Sequence, residues 1–120
     1  MQPERTELTE LVLDVVDQVP TGRATTYGHV AEAVRARTGH GHARHVGQVM
    51  ATWGAEVPWW RVVRADGTLP RQLRSGALEH YHEEGTPLSP HVPVRVNLDR
   101  ALWDPADAWV PPAGVGEHRA

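Results

Sequence analysis

The first half of the chain carries apolar residues at helical spacing in separate stretches, and this pattern limits the possible folds more than any other feature. In the first stretch the apolar residues recur three and four positions apart, and they are Leu8, Leu11, Val12, Val15, Val16 and Val19. This spacing places them on one face of an amphipathic helix. We predict that helix from about Thr6 to Gln18, because Pro20 and Gly22 follow.

Two further helices are predicted on either side of a turn rich in glycine and histidine. Thr25 or Thr26 can cap a helix over Tyr27–Ala36, which the sequence TGHGH ends. A helix from Ala43 to about Trp53 would place four apolar residues on one face, namely Val46, Val49, Met50 and Trp53. Two short helices with a Gly-containing turn make a candidate helix-turn-helix, although this turn is long and many such pairs bind no DNA.

The second half of the chain predicts less regular structure. The dipeptide Asp66–Gly67, between β-branched residues, favours a tight hairpin, and Ser75 can cap a helix that runs through Glu84 to a stop at Gly85. The stretch VPVRVNL alternates apolar residues like a strand, which Pro93 confines to an edge or irregular position.

The last part of the chain marks the expected domain boundary. Leu102 and Trp103 are expected to pack on the core, whereas residues 104–120 mix Pro, Gly and charge without a period. We therefore expect one mainly helical domain with a small β element over residues 1–103, followed by a mobile tail over 104–120.

Charge is distributed unevenly. Residues 21–75 contain eight Arg and three acidic residues, whereas 1–20 contain one Arg and five acids, and 76–120 contain three Arg and seven acids. Such a basic segment is expected of an anion-binding face, although a solvated Arg-rich surface fits the charge equally well. The apolar stretches are too short to span a bilayer and the N-terminus is too acidic for a signal peptide, so a cytoplasmic protein is expected.

The residue types exclude several kinds of chemistry. The chain has no cysteine, which excludes disulfides, cysteine-ligated zinc and thiol catalysis. No nucleophile elbow or phosphate-binding glycine loop occurs. His40, His42 and His45 could bind a metal, but they form an incomplete and strained ligand set, so a metal-dependent enzyme stays only an alternative.

Three sequence blocks, taken together, carry a more specific signal. TGRATTYG at Thr21–Gly28, ARHVGQVM at Ala43–Met50 and PWWRV at Pro58–Val62 resemble, in that order and spacing, the O6-alkylguanine-DNA alkyltransferases. The resemblance covers roughly residues 5–70, and the active-site motif of that family reads Pro-Cys-His-Arg-Val. Trp59 stands at the position of the acceptor cysteine, as in the alkyltransferase-like branch, whereas Trp60 stands where both branches usually have His.

The resemblance implies a winged helix-turn-helix-like domain that recognises O6-alkylguanine in duplex DNA without repairing it. Such proteins bind in the minor groove, flip the damaged base and flag it for nucleotide excision repair. The implied DNA-binding residues are Tyr27, which crowds the phosphate, Arg44, which enters the base stack, and Gly47 and Gln48 on the same helix. The implied lesion pocket consists of Pro58, Trp59, Trp60, Arg61 and Arg71.

The resemblance also limits what these residues are expected to do. An indole cannot displace an alkyl group as a thiolate does, so no catalytic residue, cofactor or metal is expected. Arg61 is expected to hold its loop together through hydrogen bonds to carbonyls rather than to touch DNA. We expect a monomer, and the alternative is a dimeric helix-turn-helix regulator that reads undamaged DNA in the major groove.

Overall fold

A computed structural model describes residues 5–113. Its α-helices are α1 (Glu7–Gln18), α2 (Tyr27–Thr38), α3 (Ala43–Trp53), α4 (Arg74–Glu84), α5 (Leu98–Ala101) and α6 (Pro105–Ala108). Its strands are β1 (Thr25–Thr26), β2 (Val62–Val63), β3 (Leu88–Ser89) and β4 (Arg95–Val96). Single turns of 3-10 helix cover Gly54–Glu56, Trp59–Arg61 and Arg71–Leu73. The fold is thus mainly helical with minor strands, as the sequence predicts.

The three predicted N-terminal helices are confirmed, and each begins at a side-chain cap. Thr6 Oγ1 accepts the Thr9 N–H at 3.0 Å, and Thr26 Oγ1 accepts the His29 N–H at 3.0 Å. At the start of α3, His42 Nδ1 accepts the backbone N–H of His45 at 3.2 Å. Helix α2 continues to Thr38, two residues beyond the prediction, because Gly39 provides the left-handed C-cap at φ 77°.

A short parallel pairing joins the two halves of the chain. Thr25 pairs with Val62 and Thr26 with Val63, and all four residues are buried. Because α2 begins directly after β1, and Trp59 lies just before β2, this pairing brings Tyr27 and Trp59 to the same region. The hairpin predicted at Asp66–Gly67 is wrong as a strand pairing, since only the turn forms, closed by the Arg64 N–H on the Thr68 carbonyl at 2.8 Å.

Two apolar clusters hold the domain together. The larger lies between α1, α2 and α3 and contains Val15, Val16, Val30, Val34 and Val46, all fully buried. The smaller lies between β2, α4 and the segment that carries β4 and α5, and its buried residues are Ala24, Val63, Leu69, Ala77, Tyr81, Val96 and Ala101. The helix pair α2–α3 therefore rests on α1 and leaves the opposite face of α3 open.

Several predictions for the second half need correction. Ser75 does not cap α4, which begins at Arg74 without a side-chain cap, although Gly85 ends it in the left-handed region as predicted. The strand predicted in VPVRVNL is only Arg95–Val96, paired with Leu88–Ser89, and Val92 is 98 % exposed. Within residues 5–113 no long strand lies beside this segment, so its alternation does not bury a full strand.

The chain beyond Asp104 packs on the domain as far as it is described. Trp109 is 8 % exposed, and its indole N–H donates to Asp14 Oδ2 at 2.8 Å. The Val110 N–H donates to Gln18 Oε1 at 3.0 Å. The mobile tail predicted from residue 104 is therefore wrong for this segment, because Trp109 supplies a buried anchor, and residues 114–120 lie outside the described part of the chain. Within residues 5–113, no helix has the length and apolar character needed to cross a membrane.

Candidate nucleic-acid interface

One face of α3 is exposed and lined with small or polar residues. Arg44, Gly47, Gln48 and Ala51 are spaced three and four positions apart, so they form a stripe along one side of the helix. Arg44, Gln48 and Ala51 are exposed, whereas Val46 and Val49 on the other side are buried. We call these four residues the α3 stripe.

A cavity of about 450 Å³ opens beside the α3 stripe. Within the described part of the chain its lining residues are Tyr27, Gly47, Met50, Ala51, Gly54, Ala55, Trp59, Pro70, Gln72 and Leu73. None of them has a charged side chain. The cavity is therefore uncharged and mostly apolar, with hydrogen-bonding side-chain groups on Tyr27, Trp59 and Gln72, which is typical of a small-molecule site.

Tyr27 reaches the cavity because it is the first residue of α2. Thr26 caps the helix and pairs with β2, which holds the tyrosine backbone in place. Burial raises the pKa of the Tyr27 hydroxyl above its ordinary value, and the nearby charge of Arg64 opposes this effect only in part. The hydroxyl therefore stays protonated at neutral pH and can donate a hydrogen bond.

The Trp59 indole forms one wall of the cavity and is held by neighbouring rings. Its ring meets the edges of Trp60 and His80 at centroid distances of 5.6 and 5.8 Å. A Cβ on Gly76 would lie 3.6 Å from the indole, so α4 packs closely behind the ring. The indole thus presents a supported aromatic surface to the cavity.

Trp60 and Arg61, which the resemblance places in the lesion pocket, do not line the cavity. The Trp60 ring stacks on His80 at 3.5 Å with an interplanar angle of 4°, and its N–H donates to Glu84 Oε2 at 2.9 Å. The Tyr81 hydroxyl donates to the Trp60 carbonyl at 2.6 Å. Because successive residues of the turn point in different directions, only Trp59 faces the cavity.

Arg61 and Glu84 form a nearly buried ion pair that holds the Trp59–Arg61 turn. Arg61 Nη2 lies 2.6 Å from Glu84 Oε2, and the two side chains are 14 % and 10 % exposed. Arg61 Nη1 also donates to the Val19 carbonyl at 2.9 Å, and Glu84 Oε1 accepts the Gly22 N–H at 3.0 Å. The expectation that Arg61 holds the loop through a carbonyl contact is therefore met, with a carboxylate as an additional partner.

The Glu84 carboxylate is stabilised in its charged form. Burial by itself raises the pKa of Glu84, but hydrogen bonds from Arg61, the Gly22 N–H and Trp60 outweigh it. The pKa therefore lies below its ordinary value. The ion pair joins α4, the Trp59–Arg61 turn and the segment before β1. It therefore stabilises the wall of the cavity, although neither Arg61 nor Glu84 lines the cavity.

The remaining predicted pocket residues also lie outside the lining of the cavity. Pro58 and Arg71 do not line the cavity, whereas Gln72, the residue next to Arg71, does. Sequence reasoning missed Gln72, because only the direction of the 3-10 turn Arg71–Leu73 distinguishes the two.

The histidine-rich turn contains no metal site within the described residues. No group of three or more His, Cys, Asp or Glu side chains between residues 5 and 113 is arranged to hold a metal ion. His42 instead caps α3.

Comparisons with known proteins agree on one family. Residues 7–83 match the family described as 6-O-methylguanine DNA methyltransferase, DNA binding domain. The alkyltransferase-like protein 1 of Schizosaccharomyces pombe is 32% identical over 102 residues, which cover 78% of this chain and 92% of that protein. The DNA base-flipping protein of Vibrio parahaemolyticus is 27% identical over 96 residues, covering 78% and 93%.

Solved structures show the same relationship. The crystal structure of S. pombe Atl1 in complex with damaged DNA containing O6-carboxymethylguanine has a TM-score of 0.69 and 30% identity, covering 82% of this chain and 96% of that one. A second S. pombe structure in complex with DNA has a TM-score of 0.68 with the same identity and coverage. The family match spans more than half of this cysteine-free chain, which therefore belongs to the 6-O-methylguanine DNA methyltransferase DNA-binding family, as an alkyltransferase-like protein.

Proposed function

We propose that this protein binds duplex DNA containing O6-alkylguanine from the minor groove and holds the flipped nucleotide in the cavity beside Trp59. The observation that carries the proposal is an uncharged cavity with an indole wall that opens directly beside the α3 stripe. Two relatives support it, because one is named a DNA base-flipping protein and the other has been solved with DNA containing O6-carboxymethylguanine.

The cavity suits a flipped, alkylated base in size and chemistry. Its volume of about 450 Å³ falls in the ~300–1,000 Å³ range of small-molecule sites. Stacking of a base on an aromatic side chain such as Trp59 contributes about 1–3 kcal/mol. Alkylation weakens the guanine–cytosine pair, so an alkylated base is flipped at a lower cost than guanine.

Arg44 and Tyr27 are assigned to the flipping step. Arg44 is exposed at the start of α3, one turn from Gly47 at the cavity edge, so its planar guanidinium can enter the space that the base leaves. Tyr27 lines the cavity and can crowd the phosphate of the rotating nucleotide. Gln48, exposed on the same stripe, is assigned a contact to the DNA backbone.

Binding would not be followed by alkyl transfer. Trp59 stands at the position of the acceptor cysteine and the chain contains no thiol, so the alkyl group stays on the base. The bound protein can therefore act only as a marker of the lesion. We assign nucleotide excision repair proteins as the partners that remove it.

The test is fluorescence anisotropy with a short duplex, with and without a single O6-methylguanine, at two salt concentrations. We expect tighter binding to the lesion duplex and weaker binding to both duplexes at higher salt, because Arg–phosphate contacts release counterions. Arg44→Ala and Tyr27→Phe should each weaken lesion binding with little change in thermal unfolding. Arg100→Ala is the matched control, because it also removes one exposed positive charge. Arg100 lies on α5, whereas the α3 stripe lies on a different helix.

Each contrary result has a defined meaning. Equal affinity for the two duplexes would contradict lesion recognition and leave a general DNA-binding protein. Strong preference for one undamaged sequence, together with a dimer in solution, would favour a helix-turn-helix regulator. Unchanged lesion affinity in both Arg44→Ala and Tyr27→Phe would remove base flipping from the proposal.

A further inference from the structure

The cavity beside Trp59 suits the base of a flipped nucleotide and offers nothing to the phosphates on either side of that nucleotide. None of the lining residues within the described part of the chain has a charged side chain. A phosphate carries a negative charge at neutral pH, and burying a charge without a partner is costly. The phosphates of the flipped nucleotide therefore stay at the rim of the cavity, where a cation can contact them.

The parallel pairing of β1 with β2 places an arginine at that rim. Thr26 pairs with Val63, and the residues that follow them are Tyr27 and Arg64. Because the two strands run in the same direction, Tyr27 and Arg64 leave the pairing side by side. Tyr27 lines the cavity, so Arg64 lies next to a residue of the cavity wall. Burial raises the pKa of the Tyr27 hydroxyl and the charge of Arg64 lowers it, which shows that the guanidinium acts on this hydroxyl.

The Arg64 side chain is exposed, and its backbone is fixed. The Arg64 N–H donates to the Thr68 carbonyl at 2.8 Å. Asp66, the nearest acidic residue in sequence, accepts hydrogen bonds from the Thr68 N–H at 3.0 Å and from the Thr68 hydroxyl at 2.7 Å. The ion pairs of the described residues join Arg5 with Glu10 and Glu56, and Arg61 with Glu84. Within residues 5–113 the Arg64 guanidinium thus has no carboxylate partner and is available to an external anion.

We propose that Arg64 and the Tyr27 hydroxyl together bind one phosphate next to the flipped nucleotide, an inference that rests on the proposed function. A guanidinium donates two parallel hydrogen bonds to phosphate oxygens, and the protonated tyrosine hydroxyl donates a third. The contact forms when the nucleotide rotates toward Tyr27. Arg64 therefore stabilises the flipped state of the DNA, whereas Arg44 is assigned to the space that the base leaves in the stack.

The first experiment measures binding of Arg64→Ala to duplexes with and without a single O6-methylguanine. Arg64→Ala should weaken binding to the lesion duplex about tenfold, because a hydrogen-bonded contact to a charged group is lost. The loss should be smaller on the undamaged duplex, whose nucleotides stay stacked. Arg64→Lys keeps the charge and should recover part of the affinity. Arg100→Ala removes an exposed charge on α5 and should leave the ratio of lesion to guanine affinity unchanged.

The second experiment tests the contact from the side of the DNA. Lesion duplexes carry one uncharged methylphosphonate linkage directly before the lesion, directly after it, or far from it. One of the two flanking linkages should weaken binding of the wild type about tenfold. The same linkage should have little further effect on Arg64→Ala, because the two changes remove the same contact and are not additive. The distant linkage should affect both proteins equally.

The outcomes separate this inference from the proposed function. Lesion preference in the wild type together with an unchanged lesion affinity of Arg64→Ala would overturn the role of Arg64 and leave the proposed function intact. Equal losses on the lesion and undamaged duplexes would also overturn it, because Arg64 would then contact DNA whether or not a base is flipped. Additive losses from Arg64→Ala and from each flanking linkage would overturn it as well. No lesion preference in the wild type would refute both.

Discussion

Gly47→Ala should make the protein more stable and a weaker binder of DNA. Gly47 lies in the middle of α3 with helical backbone geometry, where glycine is unfavourable. A Cβ built at this position meets no atom of the described chain within 4 Å. Close packing between helices therefore does not explain this glycine, and the open space next to it belongs to the cavity and the α3 stripe.

The two effects have different magnitudes and opposite signs. Alanine is about 0.8–1.0 kcal/mol more favourable than glycine within a helix, and no steric cost offsets this gain. The midpoint of thermal unfolding should therefore rise by about 3–5 °C. If the DNA backbone approaches Gly47 closely, the added methyl costs about 1–3 kcal/mol, as it does in a packed core, which corresponds to binding that is about 5- to 150-fold weaker.

The assay combines thermal unfolding with anisotropy binding to the O6-methylguanine duplex. Thr52→Ala is the matched control, because Thr52 is exposed on α3 outside the α3 stripe and the change also raises helix propensity. It should stabilise the protein and leave binding unchanged. If Gly47→Ala is stabilised but binds the lesion duplex as tightly as the wild type, DNA does not approach α3 closely. If Gly47→Ala is destabilised, the space beside Gly47 is not open as described.

Three further predictions concern the cavity wall and its support. Glu84→Gln should cost about 3 kcal/mol at pH 7, because it leaves the nearly buried Arg61 charge without a partner. The pKa of Glu84 is lower in the folded protein than in the unfolded chain, so the charged carboxylate stabilises the fold fully above about pH 4.5. This contribution is lost as the pH falls through the folded-state pKa. The free energies of urea unfolding of the wild type and the variant should therefore converge in acid. Gly67→Ala should cost at least about 2 kcal/mol in urea unfolding, because φ is 87° and a Cβ would clash with the β4 backbone; unchanged stability would contradict this turn. Trp59→Cys should not accept a labelled methyl group from O6-methylguanine DNA, because Trp60 stands where both branches of the family usually have His, and an indole cannot take the proton from the new thiol as an imidazole can. Labelled protein would contradict this expectation.

Local patterns were sufficient for the first four helices and for the family, whereas α5 and α6 were not predicted. The apolar spacing of residues 8–19 and the positions of Thr26, Gly39 and Gly85 determine where α1, α2 and α4 begin or end, because capping and amphipathicity involve neighbours in sequence. The sequence also placed Trp59 in its motif and excluded a thiol nucleophile. These properties depend on residue identity and not on distant contacts.

The cavity itself was decided by contacts between distant parts of the chain. The pairing of Thr25–Thr26 with Val62–Val63 brings Tyr27 beside Trp59, and no local pattern in either dipeptide specifies its partner. The ion pair of Arg61 with Glu84 and the buried Trp109 likewise join residues far apart in sequence. Sequence alone therefore determined the first four helices and the class of protein. Only tertiary structure decided which neighbouring side chains face the cavity, because long-range packing sets their direction.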